Sequence, residues 1–119
     1  MRHRDLSILL TQGDKEYTEA NWSQFSAVIS LNPESASVGC EHLHRPVKDE
    51  DTPSPADIAC WVSYALLRMG DNKRVLVNCQ AGQNRSLTIG TLILSFFENR
   101  PYADVVREIH EKCLQEDPP

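Results

Sequence analysis

The stretch that decides the fold is residues 75–86, which read VLVNCQAGQNRS. The segment Arg74–Asn78 is apolar enough to predict a strand at the centre of a sheet. After the turn that follows Cys79, the segment Arg85–Phe97 is apolar on nearly every side, which is typical of a helix in the middle of a domain. A strand, a turn and a buried helix in this order predict an α/β domain with Cys79 beyond the carboxyl end of a strand.

The rest of the chain supplies further strands and helices. Short apolar runs bounded by Gly, Asn and Pro predict extended segments at Leu6–Leu10, Ala27–Leu31 and, approximately, Cys40–Val47. Helices are predicted within Lys15–Phe25, after Ser54 as N-cap with Pro55 in the first helical position, and from Pro101. We therefore predict one α/β domain over residues 1–119, with a central, mostly parallel sheet of about four strands flanked by helices.

Composition excludes some classes of function. The net charge of −5 over 119 residues argues against a general surface for nucleic acid or for an acidic membrane. The apolar run Leu6–Leu10 is too short to span a membrane, and no small-residue cleavage site follows it, so we expect no signal peptide. The four cysteines form no C-x-x-C pair, which favours reduced thiols in a cytoplasmic protein. We also expect the protein to be a monomer.

The turn after Cys79 has the properties of an anion site. Backbone N–H groups of such a turn can surround an anion, and the N-terminus of the following helix adds about half a positive charge. A thiol at the start of this turn is favoured in its thiolate form. Arg85 adds a planar, permanently charged fork that matches two phosphoryl oxygens.

The spacing of Cys79, five residues, Arg85 and Ser86 resembles the signature loop of the protein tyrosine phosphatase superfamily, and its small dual-specificity branch in particular. The family's loop glycine falls on Gly82. The resemblance implies that Cys79 attacks phosphorus, that Arg85 holds phosphoryl oxygens and that the Ser86 hydroxyl eases departure of the thiolate. It implies a phosphate site formed by the backbone N–H groups of Gln80, Ala81, Gly82, Gln83, Asn84 and Arg85, with no cofactor and no metal.

A second segment agrees with this resemblance. Pro46–Ser54 is similar to the family's general-acid loop, a Pro-x-x-Asp run with a further proline just before a helix, about thirty residues upstream of the cysteine. By position Asp49 is the acid that protonates the leaving group, with Asp51 as the second candidate and Glu50 as the third.

One residue departs from the family pattern. The family has histidine immediately before the cysteine, where this chain has Asn78, which can form hydrogen bonds but carries no charge. If the missing charge weakens the thiolate, Asn78→His should strengthen it. If Asn78 instead holds the loop through hydrogen bonds, histidine should fit badly.

The loop also indicates a class of substrate. Gln80, Ala81, Gln83 and Asn84 are neutral, whereas relatives that act on inositol lipids tend to carry lysines there. We therefore predict a phosphorylated protein or a small phosphate ester as substrate, with phosphotyrosine and phosphoserine or phosphothreonine both open.

These residues also allow other interpretations. Cys79 could be a buried structural thiol, and Ser86 could serve only as a helix cap. The whole chain could be a pseudophosphatase that binds phosphate without turnover, or a rhodanese-like sulfur transferase; the acid loop and the Arg-Ser ending favour the phosphatase. Cys40, His42 and His44 alternate and would share one face of a strand, but no fourth ligand completes a zinc site, so no metal is predicted.

Overall fold

The computed structural model describes residues 3–47, 53–79 and 85–116. Its elements in chain order are β1 (His3–Asp5), β2 (Leu10–Asp14), α1 (Lys15–Asn21), a 3-10 turn (Trp22–Gln24), β3 (Ala27–Ser30), β4 (Glu41–His44), α2 (Pro55–Gly70), β5 (Val75–Cys79), α3 (Arg85–Glu98) and α4 (Tyr102–Glu116).

The five strands found in the described ranges form one sheet in the order β1-β2-β5-β3-β4. β2, β5, β3 and β4 run parallel, and only the edge strand β1 is antiparallel, to β2. In this register Asp14 lies opposite Cys79, and Ser30 lies opposite Asn78. The carboxyl ends of β2, β5 and β3 therefore meet at one edge of the sheet, with β5 between the other two.

Side chains of β5 alternate between two core clusters. Val75, Val77 and Cys79 belong to the larger cluster, which helices α2, α3 and α4 share, whereas Leu76 packs in a smaller cluster with Phe25 and Val28. Successive side chains of a strand point to opposite faces of the sheet. Cys79 therefore faces the side of α3, and the preceding Asn78 faces the side of the smaller cluster.

The predicted helices are confirmed, and their caps explain their boundaries. Ser54 is the N-cap of α2: its hydroxyl accepts the Asp57 N–H at 3.1 Å, and the Asp57 carboxylate accepts the Ser54 N–H at 3.4 Å. Asp57 also accepts a hydrogen bond from Arg45 at 2.8 Å, which ties the start of α2 to the segment after β4. In α4, Val105 and Ile109 are buried, whereas Tyr102 and Val106 are exposed.

The predicted α/β fold is confirmed, with one strand more than expected, but the first predicted strand is wrong. Leu6–Leu9 forms the turn between β1 and β2, closed by the N–H groups of Leu6 and Ser7, which both donate to the Leu10 carbonyl at 2.8 and 3.1 Å. Leu6 and Leu10 are buried, whereas Ile8 is 88% exposed. The apolar run thus anchors a hairpin turn in the core instead of forming a strand.

No helix within the described parts of the chain is both long enough and apolar enough to cross a membrane.

Candidate active site

Cys79 is the last residue of the central strand, and its side chain is 3% exposed. Its sulfur accepts the backbone N–H of Ser86 at 3.4 Å and lies 2.9 Å from the Ser86 hydroxyl oxygen. Ser86 is the second residue of α3 and is wholly buried. The thiol is therefore held at the N-terminus of a 14-residue helix, the end at which the helix dipole is positive.

Arg85, the first residue of α3, immediately precedes that serine and is partly buried. A cation at a helix N-terminus opposes the dipole unless an anion lies beside it. The structure thus brings together three of the predicted site residues, Cys79, Arg85 and Ser86, around the start of one helix. Residues 80–84, the predicted phosphate-binding turn, lie outside the described residues.

The predicted acid loop, including Asp49, Glu50 and Asp51, also lies outside the described residues. The described residues on either side of this loop form hydrogen bonds with the rest of the domain. Val47 is buried and its N–H donates to the Leu31 carbonyl at 3.1 Å, and Ser54 caps α2. Val47 is thus attached to the residue after β3, and Ser54 to the start of α2. The assignment of Asp49 stays a prediction.

Asn78 is wholly buried, and its hydrogen bonds run to the neighbouring strand. Its Nδ2 donates to Ser30 Oγ at 2.7 Å and to the Ile29 carbonyl at 3.3 Å, and its Oδ1 accepts from Asn32 Nδ2 at 3.0 Å. The amide therefore joins β5 to the end of β3 directly before the candidate nucleophile.

Two histidines of β4 extend this hydrogen-bond network. His42 Nε2 lies 2.7 Å from Ser30 Oγ, and His44 Nε2 lies 2.6 Å from the Asn32 carbonyl oxygen. Ser30 Oγ already accepts from Asn78, so its proton is available to a neutral His42. Burial, with a smaller contribution from His44, lowers the pKa of His42 below its ordinary value and favours that neutral form.

The remaining cysteines have other surroundings. Cys40 packs against the smaller core cluster, and burial raises the pKa of its thiol. Cys113 packs against the larger cluster, and Cys60 is half-buried on α2. The described residues contain no group of three or more His, Cys, Asp or Glu side chains placed to hold a metal ion.

A cavity of about 180 Å³ opens at the same edge of the sheet. Its lining includes Lys15, which follows β2, and Asn32, Pro33 and Glu34, which follow β3. Since β5 lies between β2 and β3, this cavity lies at the edge where Cys79 ends its strand. Lys15 Nζ and Glu34 Oε2 form an ion pair across it at 3.3 Å.

The sequence analysis did not identify the residues that form hydrogen bonds with Ser86 and with Asn78. Gln12 on β2 donates from Nε2 to Ser86 Oγ at 3.0 Å, and Ser30 with Asn32 holds Asn78. The available signal was the presence of polar side chains within or just after short, otherwise buried strands. Such side chains require partners.

No protein-family model matches the sequence, and no curated protein matches it. Solved structures do match. The active form of Tk-PTP has a TM-score of 0.77 at 20% identity, covering 98% of this chain and 85% of Tk-PTP. PTPMT1 in complex with PI(5)P has a TM-score of 0.76 at 19% identity, covering 93% of this chain and 83% of PTPMT1.

OH1 from the Orf virus, described as a tyrosine phosphatase with triple substrate specificity, has a TM-score of 0.72 at 18% identity, covering 93% of this chain and 74% of OH1. The chain thus shares the fold of these phosphatase structures. The resemblance inferred from the segment around Cys79 is confirmed at the level of the fold.

Proposed function

We propose that this protein is a cysteine-dependent phosphatase that hydrolyses phosphate monoesters through a cysteinyl-phosphate intermediate. The observation that carries the proposal is the position of the Cys79 thiol. It is buried at the carboxyl end of the central strand, and its sulfur accepts the Ser86 N–H at the start of α3. The fold shared with cysteine phosphatases such as Tk-PTP supports it.

In the first chemical step the Cys79 thiolate attacks phosphorus, and a phosphorus–sulfur bond forms as the bond to the leaving oxygen breaks. Asp49 donates a proton to that oxygen. Arg85 and the backbone N–H groups of residues 80–85 stabilise the phosphoryl oxygens, whose charge increases in the transition state.

In the second step a water molecule attacks the phosphocysteine. Its proton passes to Asp49, now a base, the phosphorus–sulfur bond breaks, and the electron pair returns to sulfur. The Ser86 hydroxyl, 2.9 Å from that sulfur, can donate a hydrogen bond to the departing thiolate.

We propose a phosphorylated protein, on tyrosine or on serine and threonine, as the substrate, with a small phosphate ester as the alternative. PTPMT1 has been seen with a phosphoinositide, but the neutral loop residues Gln80, Ala81, Gln83 and Asn84 of this chain favour a less anionic ligand. The cavity beside Lys15 and Glu34 presents both signs of charge, which suits a peptide flank better than a polyphosphorylated headgroup. A thiolate nucleophile must stay reduced, so we propose that the enzyme is located in the cytoplasm. We also propose that it is a monomer.

A pseudophosphatase is the second candidate, and Asn78 is the observation that favours it. That residue carries no charge, and the hydrogen bonds described for its side chain run to β3 and to Asn32, just after β3. Such a protein would bind phosphate at Arg85 without turnover.

The deciding experiment is hydrolysis of an aryl phosphate by the wild type and by Cys79→Ser, with mass spectrometry of the rapidly quenched enzyme. We expect turnover and a phosphate adduct on Cys79 in the wild type, and neither in Cys79→Ser, since an alcohol is not ionised there. Cys60→Ser, at a half-buried helical cysteine, is the matched control and should retain activity. Full turnover by Cys79→Ser would refute the nucleophile, and phosphate binding without turnover would indicate the pseudophosphatase. A persulfide on Cys79 after a parallel incubation with thiosulfate as sulfur donor, in place of the phosphate adduct, would indicate sulfur transfer.

A further inference from the structure

Three side chains from three elements form a continuous chain of contacts that ends at the candidate nucleophile. Gln12 Nε2 on β2 donates to Ser86 Oγ at 3.0 Å, and Ser86 Oγ lies 2.9 Å from Cys79 Sγ. Ser86 and Cys79 are buried, and Gln12 is partly buried. The separation of 74 residues between Gln12 and Ser86 means that the packing of α3 on β2 creates the contact.

The chemistry of the amide group decides where the hydroxyl proton of Ser86 goes. The nitrogen of a glutamine side chain can only donate, so Ser86 Oγ is the acceptor in that contact. The serine still has one proton to donate, and Cys79 Sγ lies within reach. Since the Ser86 backbone N–H also donates to this sulfur, the sulfur receives two donors from one residue.

We propose that Gln12 is a positioning residue that turns the Ser86 hydroxyl proton onto the Cys79 sulfur and so stabilises the thiolate. It acts through Ser86 and does not touch the reacting atoms. Its consequence for turnover rests on the proposed phosphatase function. In the second step, where the phosphorus–sulfur bond breaks and the electron pair passes to sulfur, a hydroxyl already aimed at the sulfur stabilises the developing negative charge.

The first test does not depend on turnover. It measures the rate at which iodoacetamide alkylates Cys79 as a function of pH, by mass spectrometry of the Cys79 peptide, because only the thiolate reacts. In Gln12→Leu we expect about three- to tenfold slower alkylation near neutral pH and a profile displaced to higher pH. Ser86→Ala should lose at least as much, and the double variant should match Ser86→Ala, because Gln12 acts only through the serine.

Two further variants keep this test decisive. Gln12→Glu preserves size, but its carboxylate accepts the Ser86 proton and draws it away from the sulfur, so alkylation should slow at least as much as in Gln12→Leu. Gln24→Leu is the matched control, because the Gln24 amide donates to Asn21 and lies in the exposed turn after α1. Wild-type alkylation in both Gln12 variants, or additive losses in the double variant, would overturn the proposal.

The second test separates the two chemical steps with rapid-quench kinetics on an aryl phosphate. At a pH at which the alkylation profiles show Cys79 fully ionised in both proteins, we expect Gln12→Leu to keep the rate of the phenol burst within about twofold. Steady-state turnover should fall about tenfold and phosphocysteine should accumulate, because the second step is slowed. A slower burst with an unchanged second step would overturn the assignment to thiolate departure. If the wild type has no turnover, the proposed function fails, and the alkylation series alone still decides whether Gln12 positions Ser86.

Discussion

Asn78 Nδ2 donates a hydrogen bond to Ser30 Oγ at 2.7 Å, between two wholly buried residues, one position before Cys79. The same amide also reaches the Ile29 carbonyl and accepts from Asn32. Three bonds on one buried side chain join the central strand to β3 where both strands end. Asn78, which stands where the family has histidine, thus joins β5 to β3 through side-chain hydrogen bonds.

Asn78→Ala should destabilise the fold. Removing the amide leaves Ser30, Asn32 and the Ile29 carbonyl each short of a buried partner, and one unsatisfied buried group costs about 1–3 kcal/mol. We expect the free energy of unfolding, measured by urea denaturation, to fall by about 2–4 kcal/mol. Asn21→Ala is the control, since its amide donates to the Tyr17 carbonyl and accepts from Gln24 at the partly exposed end of α1. An equal loss of stability in both variants would contradict the role of Asn78 in joining the two strands.

Asn78→His distinguishes the two roles that the sequence left open. An imidazole has two ring nitrogens for a site that makes three hydrogen bonds, so the geometry supports the structural role. We expect lower stability and alkylation of Cys79 by iodoacetamide no faster than in the wild type near neutral pH. Alkylation of Cys113 in the same sample is the internal reference. Faster alkylation of Cys79 in a stably folded variant would instead support the electrostatic role of the missing histidine.

His42 should make stability depend on pH. Burial lowers its pKa in the folded state below the ordinary value of 6.5, so on acidification the unfolded chain binds this proton first. The contribution is fully present above about pH 6.5 and is lost as pH falls toward the folded pKa. We expect the free energy of unfolding to decline over that window and His42→Gln to flatten the decline. His110→Gln, at an exposed position of α4, should leave it unchanged, and an unaltered slope in His42→Gln would refute the assignment.

Local signals in the sequence predicted the elements whose boundaries depend on nearby residues. Ser54 and Pro55 gave the start of α2, and the apolar runs of β5 and α3 were recognisable because both are buried. The error at Leu6–Leu10 has a physical cause: a short apolar run indicates burial but does not distinguish a strand from a turn that inserts two leucines into the core. The edge strand β1 is short and polar, and only its pairing with β2 reveals it.

The candidate site likewise contains residues that the sequence predicted and residues that it did not. Cys79, Arg85 and Ser86 were predictable because they lie within seven residues of one another, on a strand end and a helix start. The partners Gln12, Ser30 and Asn32 were not, since their contacts depend on the order and register of strands far apart in the chain. Neither spacing nor composition encodes that β5 lies between β2 and β3.

Arg85→Lys should be nearly inactive even though the charge is kept. An ammonium cannot reproduce the two parallel N–H donors that the guanidinium presents to a phosphoryl group. We expect kcat/KM on an aryl phosphate to fall about 100-fold or more, with weaker inhibition by inorganic phosphate. Arg107→Lys, an exposed arginine on α4 paired with Asp104, is the control and should be unaffected. Retained activity together with retained phosphate affinity would exclude Arg85 from the site.

The leaving group of the substrate can decide between Asp49 and Asp51 as the general acid. A phosphopeptide or alkyl ester releases a poor leaving group that needs a proton, whereas nitrophenolate departs readily without one. Asp49→Asn should therefore lower kcat about 100-fold on a phosphopeptide and less than about tenfold on nitrophenyl phosphate. Asp51→Asn and Glu50→Gln are matched controls within the same loop and should slow both substrates little and equally. If Asp51→Asn shows the dependence on leaving group and Asp49→Asn does not, the acid lies two residues further along the chain, toward the Ser54 cap of α2.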